Sequence, residues 1–356
     1  MNRTLFCALA AVSLAIPAAA QEAPKGAPSP NEIIAAAPAS EWTAIALEDL
    51  LVMTLAPDAE GNPRQVVIQL MPAPFSQGWV DNIRTFARAK WYDNISVNRV
   101  QDNYVVQWGD PNYDNPEATG EVKPLPEGLK VMSEEEYLAY ITYDRWVSDA
   151  TSQSGWSRIS RSENNRLSRF NFVENAKGDD YAEHTQFYEG WPLAWELAPL
   201  LADAPAVPRS ISAEVWPTHC YGMVGVGRNY SPDTGSGAEL YTVIGHAPRH
   251  LDRNIALVGR VIEGMEHLSS LPRGKGELGF YADFERDKRT PILSVRVASD
   301  LPAADQPQFH YLATDSASFA KYAEARANRR DPFFIAPAGG ADICNIPVPV
   351  RRVAAD

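Results

Sequence analysis

The sequence SVNRVQDNYVVQWGDP (96–111) contains two short apolar runs around a polar turn and places one arginine, Arg99, inside the first run. Apolar runs that flank an Asp-Asn pair predict a β-hairpin. Side chains two apart on a strand share a face. One face of the hairpin is therefore expected to carry Val97, Arg99, Val105 and Gln107, and the opposite face Val100, Tyr104, Val106 and Trp108. An apolar face with two convergent polar groups is typical of a small binding site. An exposed edge hairpin with a solvated arginine is the alternative.

The segments on either side of this hairpin carry further strand and helix patterns. LEDLLVMTLA (47–56) and RQVVIQLMPA (64–73) predict an opening hairpin, and SQGWVDNIRTFARAK (76–90) predicts an amphipathic helix capped by Ser76. Beyond residue 217, the sequence predicts strands in CYGMVGVG, AELYTVIG and PILSVRVAS, and helices over 261–271 and 316–328. The capping-box pattern at 133–136 predicts a helix of about three turns in YLAYITYDRWV.

Taken in order, LVMTL, RQVVIQLMP, FARAKWYDN, NRVQDNYVVQWGDP and the later GAELYTVIGHAPRHLDRNIALVGRVIEGMEHL resemble the cyclophilin-type peptidyl-prolyl cis-trans isomerases. The family's Phe-His-Arg-Val and Gln-Gly-Gly-Asp-Pro elements correspond to 97–100 and 107–111. The resemblance covers residues 46–110 and 219–300. It implies a mainly β fold, in which a closed antiparallel barrel is capped by helices, with a large, partly helical insertion and a C-terminal extension added here.

The resemblance also implies the chemistry of the site. Arg99 would donate a hydrogen bond to the proline nitrogen, which regains its lone pair as the Xaa-Pro amide twists. Gln107 would hold the neighbouring carbonyl or the arginine, and Tyr104, Val105 and Tyr241 would form the slot for the proline ring. No cofactor, metal or covalent intermediate is implied. The expected partners are proline-containing peptides or unfolded exported proteins.

Several binding positions depart from the family pattern, with His250 in place of a tryptophan, Ile255 in place of a histidine, and Val224-Gly225-Val226 in place of Ala-Asn-Ala. Glu239 stands where the family usually has a glutamine, and a carboxylate near Arg99 is expected either to orient the guanidinium or to sequester it. The alternative function is therefore a catalytically weak or inactive barrel that acts as a peptide- or protein-binding module. A carbohydrate-binding or hydrolytic protein is a third hypothesis, which rests on aromatic content alone.

The first twenty residues predict export of the protein. Residues 1–20 combine Arg3, an apolar run and three alanines, which is the pattern of a cleaved signal peptide, and a periplasmic location is expected. Removing them takes the net charge from −13 to −14, which argues against nucleic acid and anionic membranes as partners. No later apolar run reaches the ~20 residues of a membrane span.

The absence of Gly-x-Ser-x-Gly, His-Glu-x-x-His and Cys-x-x-Cys motifs argues against hydrolase, zinc and thiol-redox functions.

The predicted organisation has five parts, namely the signal peptide (1–20), a flexible lead (21–41), the cyclophilin-like domain (42–300), its insertion (about 112–218) and a C-terminal extension (301–356). The insertion is far longer than an ordinary connection between strands, and its aromatic residues are expected either to pack onto the barrel or to bind client peptides. Removal of the signal peptide leaves Cys220 and Cys344, which are predicted to form a disulfide or to remain as two buried thiols.

Overall fold

The computed structural model of the protein describes residues 26–113, 115–116, 118–144, 179–197 and 210–353. Over these residues the helices are α1 (Pro30–Ala35), α2 (Gln77–Arg88), α3 (Glu266–Ser269) and α4 (Ala317–Ala327). The strands are β1 (Trp42–Ala44), β2 (Leu50–Leu55), β3 (Arg64–Leu70), β4 (Ile95–Val100), β5 (Val105–Gly109), β6 (Ala139–Asp144), β7 (His184–Tyr188), β8 (Trp191–Leu197), β9 (Ser210–Pro217), β10 (Met223–Val226), β11 (Leu240–Val243), β12 (Leu257–Glu263), β13 (Pro291–Val297), β14 (Phe309–Leu312) and β15 (Val350–Arg352).

Eight of these strands close into an antiparallel barrel in the order β10-β11-β5-β4-β13-β2-β3-β12. The predicted opening hairpin is confirmed, because β2 pairs with β3 from Leu50 opposite Gln69 to Leu55 opposite Arg64. The predicted helix over 76–90 is confirmed as α2, which turns its apolar residues into the barrel core. The predicted capping by Ser76 is wrong, because the Ser76 side chain makes no capping hydrogen bond and its backbone is left-handed, with φ of 53°. Burial of this continuous apolar core is the main stabilising term for the barrel. The mainly β, closed-barrel fold class is as predicted.

The central hairpin forms as predicted, but a bulge alters which side chains share a face. Val97 lies opposite Trp108 while Arg99 lies opposite Gln107, so Asn98 is an extra residue in β4. Asn98 is buried, and its side-chain amide donates to the Gly109 carbonyl at 3.1 Å. The extra residue breaks the period of two. The prediction that Val97 shares a face with Arg99 is therefore wrong, because Val97 packs in the barrel core.

Tyr104 also departs from the predicted alternation. It follows the turn and packs on the outer face of the barrel with Val105, in a cluster separate from the core. The even-numbered face therefore contributes only Val100, Val106 and Trp108 of its four predicted members to the core. Turn residues do not obey strand alternation, which explains the difference.

The chain segments before and after the barrel sequence together form a second layer. Strands β1, β14 and β15 make a three-stranded sheet, and α1 lies against α4. The prediction of a flexible lead over 21–41 is wrong from residue 30 onward, because α1 begins there with Ser29 and Glu32 in a capping box. The predicted helix over 316–328 is confirmed as α4, which is capped by Ser316.

The described part of the insertion is a β-structure. Strands β6, β9, β8 and β7 form a four-stranded antiparallel sheet, and Trp191, Leu193 and Val215 from this sheet join the barrel core cluster. The predicted helix in YLAYITYDRWV (137–147) is wrong over 139–144, where β6 forms, and its last three residues lie outside the described ones. The capping box at Ser133 is present, but it starts only a 3-10 turn at Glu134–Tyr137 before β6. The aromatic residues Trp191 and Trp216 are buried, so they pack the sheet instead of facing solvent.

Two further features complete the fold. The prediction of a helix over 261–271 is wrong, because β12 continues to Glu263 and α3 covers only Glu266–Ser269. A disulfide joins Cys220, which precedes β10, to Cys344 in the C-terminal extension, and so ties the extension to the barrel. Among the described residues, no helix is long and apolar enough to cross a membrane.

Candidate active site

Arg99 is held at the outer face of the barrel by three uncharged acceptors. Its Nε donates to the Leu278 carbonyl oxygen at 2.7 Å, its Nη1 donates to Gln107 Oε1 at 3.1 Å, and its Nη2 donates to Gln101 Oε1. A guanidinium has five N–H groups. Two N–H groups therefore have no acceptor among the residues that the structure describes. The side chain is fixed in orientation and still has donors to offer.

Two aromatic rings flank the Arg99 guanidinium. Its central carbon lies 5.6 Å from the centre of the Tyr104 ring and 5.5 Å from that of Phe280, which are cation–π distances. Burial lowers the pKa of the Arg99 guanidinium from its ordinary value and raises that of the Tyr104 hydroxyl. An arginine keeps its proton in proteins at neutral pH. The site therefore presents a fixed positive charge in partly apolar surroundings.

Glu239 contacts the arginine indirectly. Gln107 Nε2 donates to Glu239 Oε2 at 3.2 Å, while Oε1 of the same amide accepts from Arg99. Because a carboxylate only accepts, this contact fixes which end of the Gln107 amide faces Arg99. Glu239 is buried above Gly109, where an added Cβ would lie 2.0 Å from Glu239 Oε1. Of the two predicted effects of Glu239 on Arg99, orientation and sequestration, this geometry favours orientation.

An apolar slot lies beside the arginine. Val105, Tyr241 and Val243 are buried in one cluster, and the partly buried Tyr104 and Ile255 pack against it. Arg99 and Gln107 join Tyr104, Val105, Tyr241 and Ile255 in lining a cleft of about 580 Å³. The rest of the lining includes the start of the insertion, with Tyr113 and Asn115, and Glu277, Leu278 and Phe280. A slot of this kind suits an apolar ring, and the polar groups at its rim suit an amide.

The structure brings most of the predicted site residues together. Arg99, Tyr104, Val105, Gln107, Glu239, Tyr241 and Ile255 all line the cleft. His250 instead is exposed on the Arg249–Leu251 turn, and its neighbour Leu251 lines the cleft. Val224 and Gly225 are buried on β10, where Gly225 pairs with Tyr241 across the sheet.

Four residues that the sequence reasoning missed contribute to the site. Gln101, Leu278 and Phe280 surround the guanidinium, and His219 binds the hydroxyl of Tyr241. Leu278 and Phe280 lie about 180 residues beyond Arg99 and are adjacent to it only in the fold, through an isolated bridge between Arg99 and Phe280. A buried histidine carries no distinctive signal in a single sequence, since most such residues are structural.

A closed eight-stranded antiparallel barrel with an arginine beside an apolar slot on its outer face has the architecture of the cyclophilins. The model of the family described as "Cyclophilin type peptidyl-prolyl cis-trans isomerase/CLD" matches residues 64–297, and the chain belongs to this family. Its enzyme class is accordingly peptidyl-prolyl cis-trans isomerase. Proteins of this class bind proline-containing peptides.

One solved structure shares this fold. The crystal structure of the cyclophilin AquaCyp293 from Hirschia baltica is similar with a TM-score of 0.54 and 18% sequence identity, over 88% of this chain and 94% of that one. A Cryptosporidium parvum cyclophilin-type isomerase, crystallised in the presence of the dipeptide Ala-Pro, aligns with a TM-score of 0.33 and 10% identity over 69% of this chain and 97% of that one. A search of curated protein sequences found no significant match.

Proposed function

We propose that this isomerase acts on Xaa-Pro bonds of exported proteins during their folding, and that Arg99 stabilises the twisted amide. The observation that carries the proposal is the fixed Arg99 guanidinium, which has N–H groups to offer at the edge of an apolar slot. Rotation about a peptide bond has a barrier of about 18–20 kcal/mol because resonance is lost. A group that stabilises the twisted state more than the planar states lowers that barrier.

The chemistry of the twisted amide suits a cationic donor. As resonance is lost, the proline nitrogen becomes pyramidal and regains a lone pair that accepts a hydrogen bond from Arg99. In the planar amide that lone pair is delocalised, so the interaction is selective for the transition state. The donor is already oriented by Leu278, Gln101 and Gln107, and little reorganisation is needed at the moment of reaction.

The acceptors around Arg99 keep its charge available. Its three protein partners are two side-chain amides and one backbone carbonyl, and none of these carries a formal charge. A direct carboxylate partner would form a strong charge-assisted pair and compete with the substrate. Tyr104, Val105 and Tyr241 then supply the apolar walls that hold the proline ring next to the guanidinium.

Two observations support export as part of the proposal. Residues 1–20 have the sequence pattern of a signal peptide. The bond between Cys220 and Cys344 suits an oxidising compartment such as the periplasm, since cytosolic thiols are kept reduced. Expression in a bacterium tests this part, because export predicts recovery in the periplasmic fraction with an N-terminus at Gln21. Retention of the intact chain in the cytosol would contradict it.

The central test compares the isomerisation rate of the protein with that of Arg99→Ala on a proline-containing peptide. We expect a loss of about 100-fold or more in kcat, because removing one transition-state donor typically costs that much. Arg352→Ala is the matched control, since Arg352 pairs with Glu263 outside the cleft. Equal rates for the protein and Arg99→Ala would refute the role of Arg99. Peptide binding without acceleration by the unmodified protein would instead assign the cleft to a binding module.

A further inference from the structure

The hydroxyl of Tyr241 is the first member of a buried chain of polar groups. Tyr241 Oη lies 2.9 Å from His219 Nε2, and His219 Nδ1 lies 2.9 Å from Asp252 Oδ1. The backbone N–H of His219 also donates to Asp252 Oδ1 at 2.9 Å. His219 is 0% exposed, and Tyr241 and Asp252 are 5% and 6% exposed. The proline slot is therefore connected to a carboxylate that lies well behind it.

The carboxylate determines the direction of the hydrogen bonds along this chain. Asp252 accepts from the His219 ring, so Nδ1 carries the proton and Nε2 is left as the acceptor for the Tyr241 hydroxyl. Burial lowers the pKa of His219, which favours this neutral ring. Arg249 Nε in turn donates to the second oxygen of Asp252 at 2.6 Å. Each group thus has one assigned role as donor or acceptor.

The chain extends from the barrel into the insertion. Arg249 is 2% exposed, and its Nη1 and Nη2 donate to the two carboxylate oxygens of Asp179 at 2.8 Å and 3.2 Å. Asp179 belongs to the insertion, whereas Asp252 follows the turn that leads toward β12. The guanidinium is therefore held between two carboxylates, and its position fixes that of Asp252.

Gly225 has no side chain, and the space that a side chain would fill is occupied by the Tyr241 phenol. An added Cβ on Gly225 would lie 2.3 Å from Tyr241 Oη and 2.4 Å from its Cζ. Real Cβ atoms do not approach other heavy atoms so closely, so any larger residue at this position would displace the ring. Gly225 stands where the family pattern has an asparagine, and the structure gives a steric reason for that departure. Glycine at 225 and tyrosine at 241 act as a pair.

We propose that His219, held by Asp252, is a positioning residue for the Tyr241 ring and thereby sets the affinity of the slot for proline. The inference rests on the proposed function, because it requires that proline occupies this slot. The ring contacts proline in the planar and twisted states alike, so its position affects binding of both equally. Loss of the hydrogen bond between His219 and Tyr241 is therefore expected to raise KM and leave kcat nearly unchanged.

The experiment measures kcat and KM on one Xaa-Pro peptide for Tyr241→Phe, His219→Leu and the double variant. Each single variant breaks the same hydroxyl-to-imidazole bond, so we expect a rise in KM of about three- to tenfold, the range typical of one buried hydrogen bond. The double variant should show no further rise, because two residues acting through one bond are not additive. A wild-type KM in both single variants, or additive effects in the double variant, would overturn the proposal.

Two further variants protect the test against loss of folding. His219→Gln supplies one donor and one acceptor, and its KM should rise less than that of His219→Leu. Tyr322→Phe is the matched control, because it removes the hydroxyl of another buried tyrosine, bonded to the Pro347 carbonyl in the C-terminal extension, and should leave KM unchanged. If Arg99→Ala keeps the full rate, the proposed catalysis is refuted. The dissociation constant of the peptide, measured on the same variants, then still tests the hydrogen bonds from Tyr241 through His219 to Asp252. A KM rise of equal size in Tyr322→Phe would show a general effect of destabilisation and would also refute the proposal.

Discussion

Replacing Glu239 by glutamine separates the two roles that a carboxylate near Arg99 can have. If Glu239 sequestered the guanidinium, Glu239→Gln would release it and raise the isomerisation rate. The structure instead joins Glu239 to Gln107 at 3.2 Å and Gln107 to Arg99 at 3.1 Å. Glu239 therefore acts by presenting Gln107 Oε1 to Arg99, and we expect the rate to fall.

The size of the effect follows from the kind of hydrogen bond that is lost. A hydrogen bond to a charged group contributes about 1.5–3 kcal/mol, and a neutral one contributes about 0.5–1.5 kcal/mol. Glu239→Gln keeps the shape and one acceptor oxygen, so it loses about 1 kcal/mol of orienting energy. If all of that loss appears in the transition state, kcat/KM falls about fivefold. A glutamine at 239 can also turn its amide toward Gln107, which weakens the orientation in the same direction.

The assay compares kcat/KM of Glu239→Gln with that of the unmodified protein on a proline-containing peptide. Glu263→Gln is the matched control, because Glu263 pairs with Arg352 at an exposed site outside the cleft. We expect the control to retain its rate. A rate increase in Glu239→Gln would refute the orienting role and establish sequestration.

Two further predictions concern stability. Burial lowers the pKa of His219, and repulsion from Arg249 and His250 lowers it further, while Asp252 acts to raise it. The other ring nitrogen is occupied by the Tyr241 hydroxyl. Below about pH 6.5, the unfolded protein therefore binds a proton at His219 that the folded protein does not. The free energy of unfolding in urea should therefore fall as the pH drops through this range, and His219→Gln should flatten that dependence; an unchanged slope would contradict the assignment. Cys220→Ser should lower the free energy of unfolding by about 2–5 kcal/mol, because the bond to Cys344 closes a loop with a sequence separation of 124. Equal urea midpoints for Cys220→Ser and the disulfide-bonded protein would contradict a stabilising role.

The parts of the fold that were predictable are those whose signal is local. The β2–β3 hairpin follows from two apolar strand-type runs around a turn, and α2 follows from helical spacing, each within about twenty residues, and both form as expected. Local patterns failed where neighbours from elsewhere decide the structure. The capping box at Ser133 starts one 3-10 turn, but the residues after Tyr137 pair with β9 instead of continuing a helix. Long-range strand pairing overrode the local preference there.

The candidate site shows the same division between local and distant information. Arg99 and Gln107 lie on one hairpin, and their proximity follows from the pairing of β4 with β5. Leu278 and Phe280 complete the surroundings of the guanidinium from the other end of the domain, and no spacing rule connects them to Arg99. The bulge at Asn98 was equally invisible, because it depends on burial of a side-chain amide against Gly109.

Strand β11 and the residue before it supply one member to each of two hydrogen-bonded series, Glu239–Gln107–Arg99 and Tyr241–His219–Asp252. Glu239 directly precedes the strand and Tyr241 lies within it, and both project to the outer face while Leu240 between them packs in the core. Tyr241 pairs with Gln107 across the sheet. The register of β11 on β5 therefore places one carboxylate to orient the arginine's partner and one phenol to shape the slot. A shift of one residue would turn both side chains inward, and a single register thus determines both the donor geometry and the proline-binding surface.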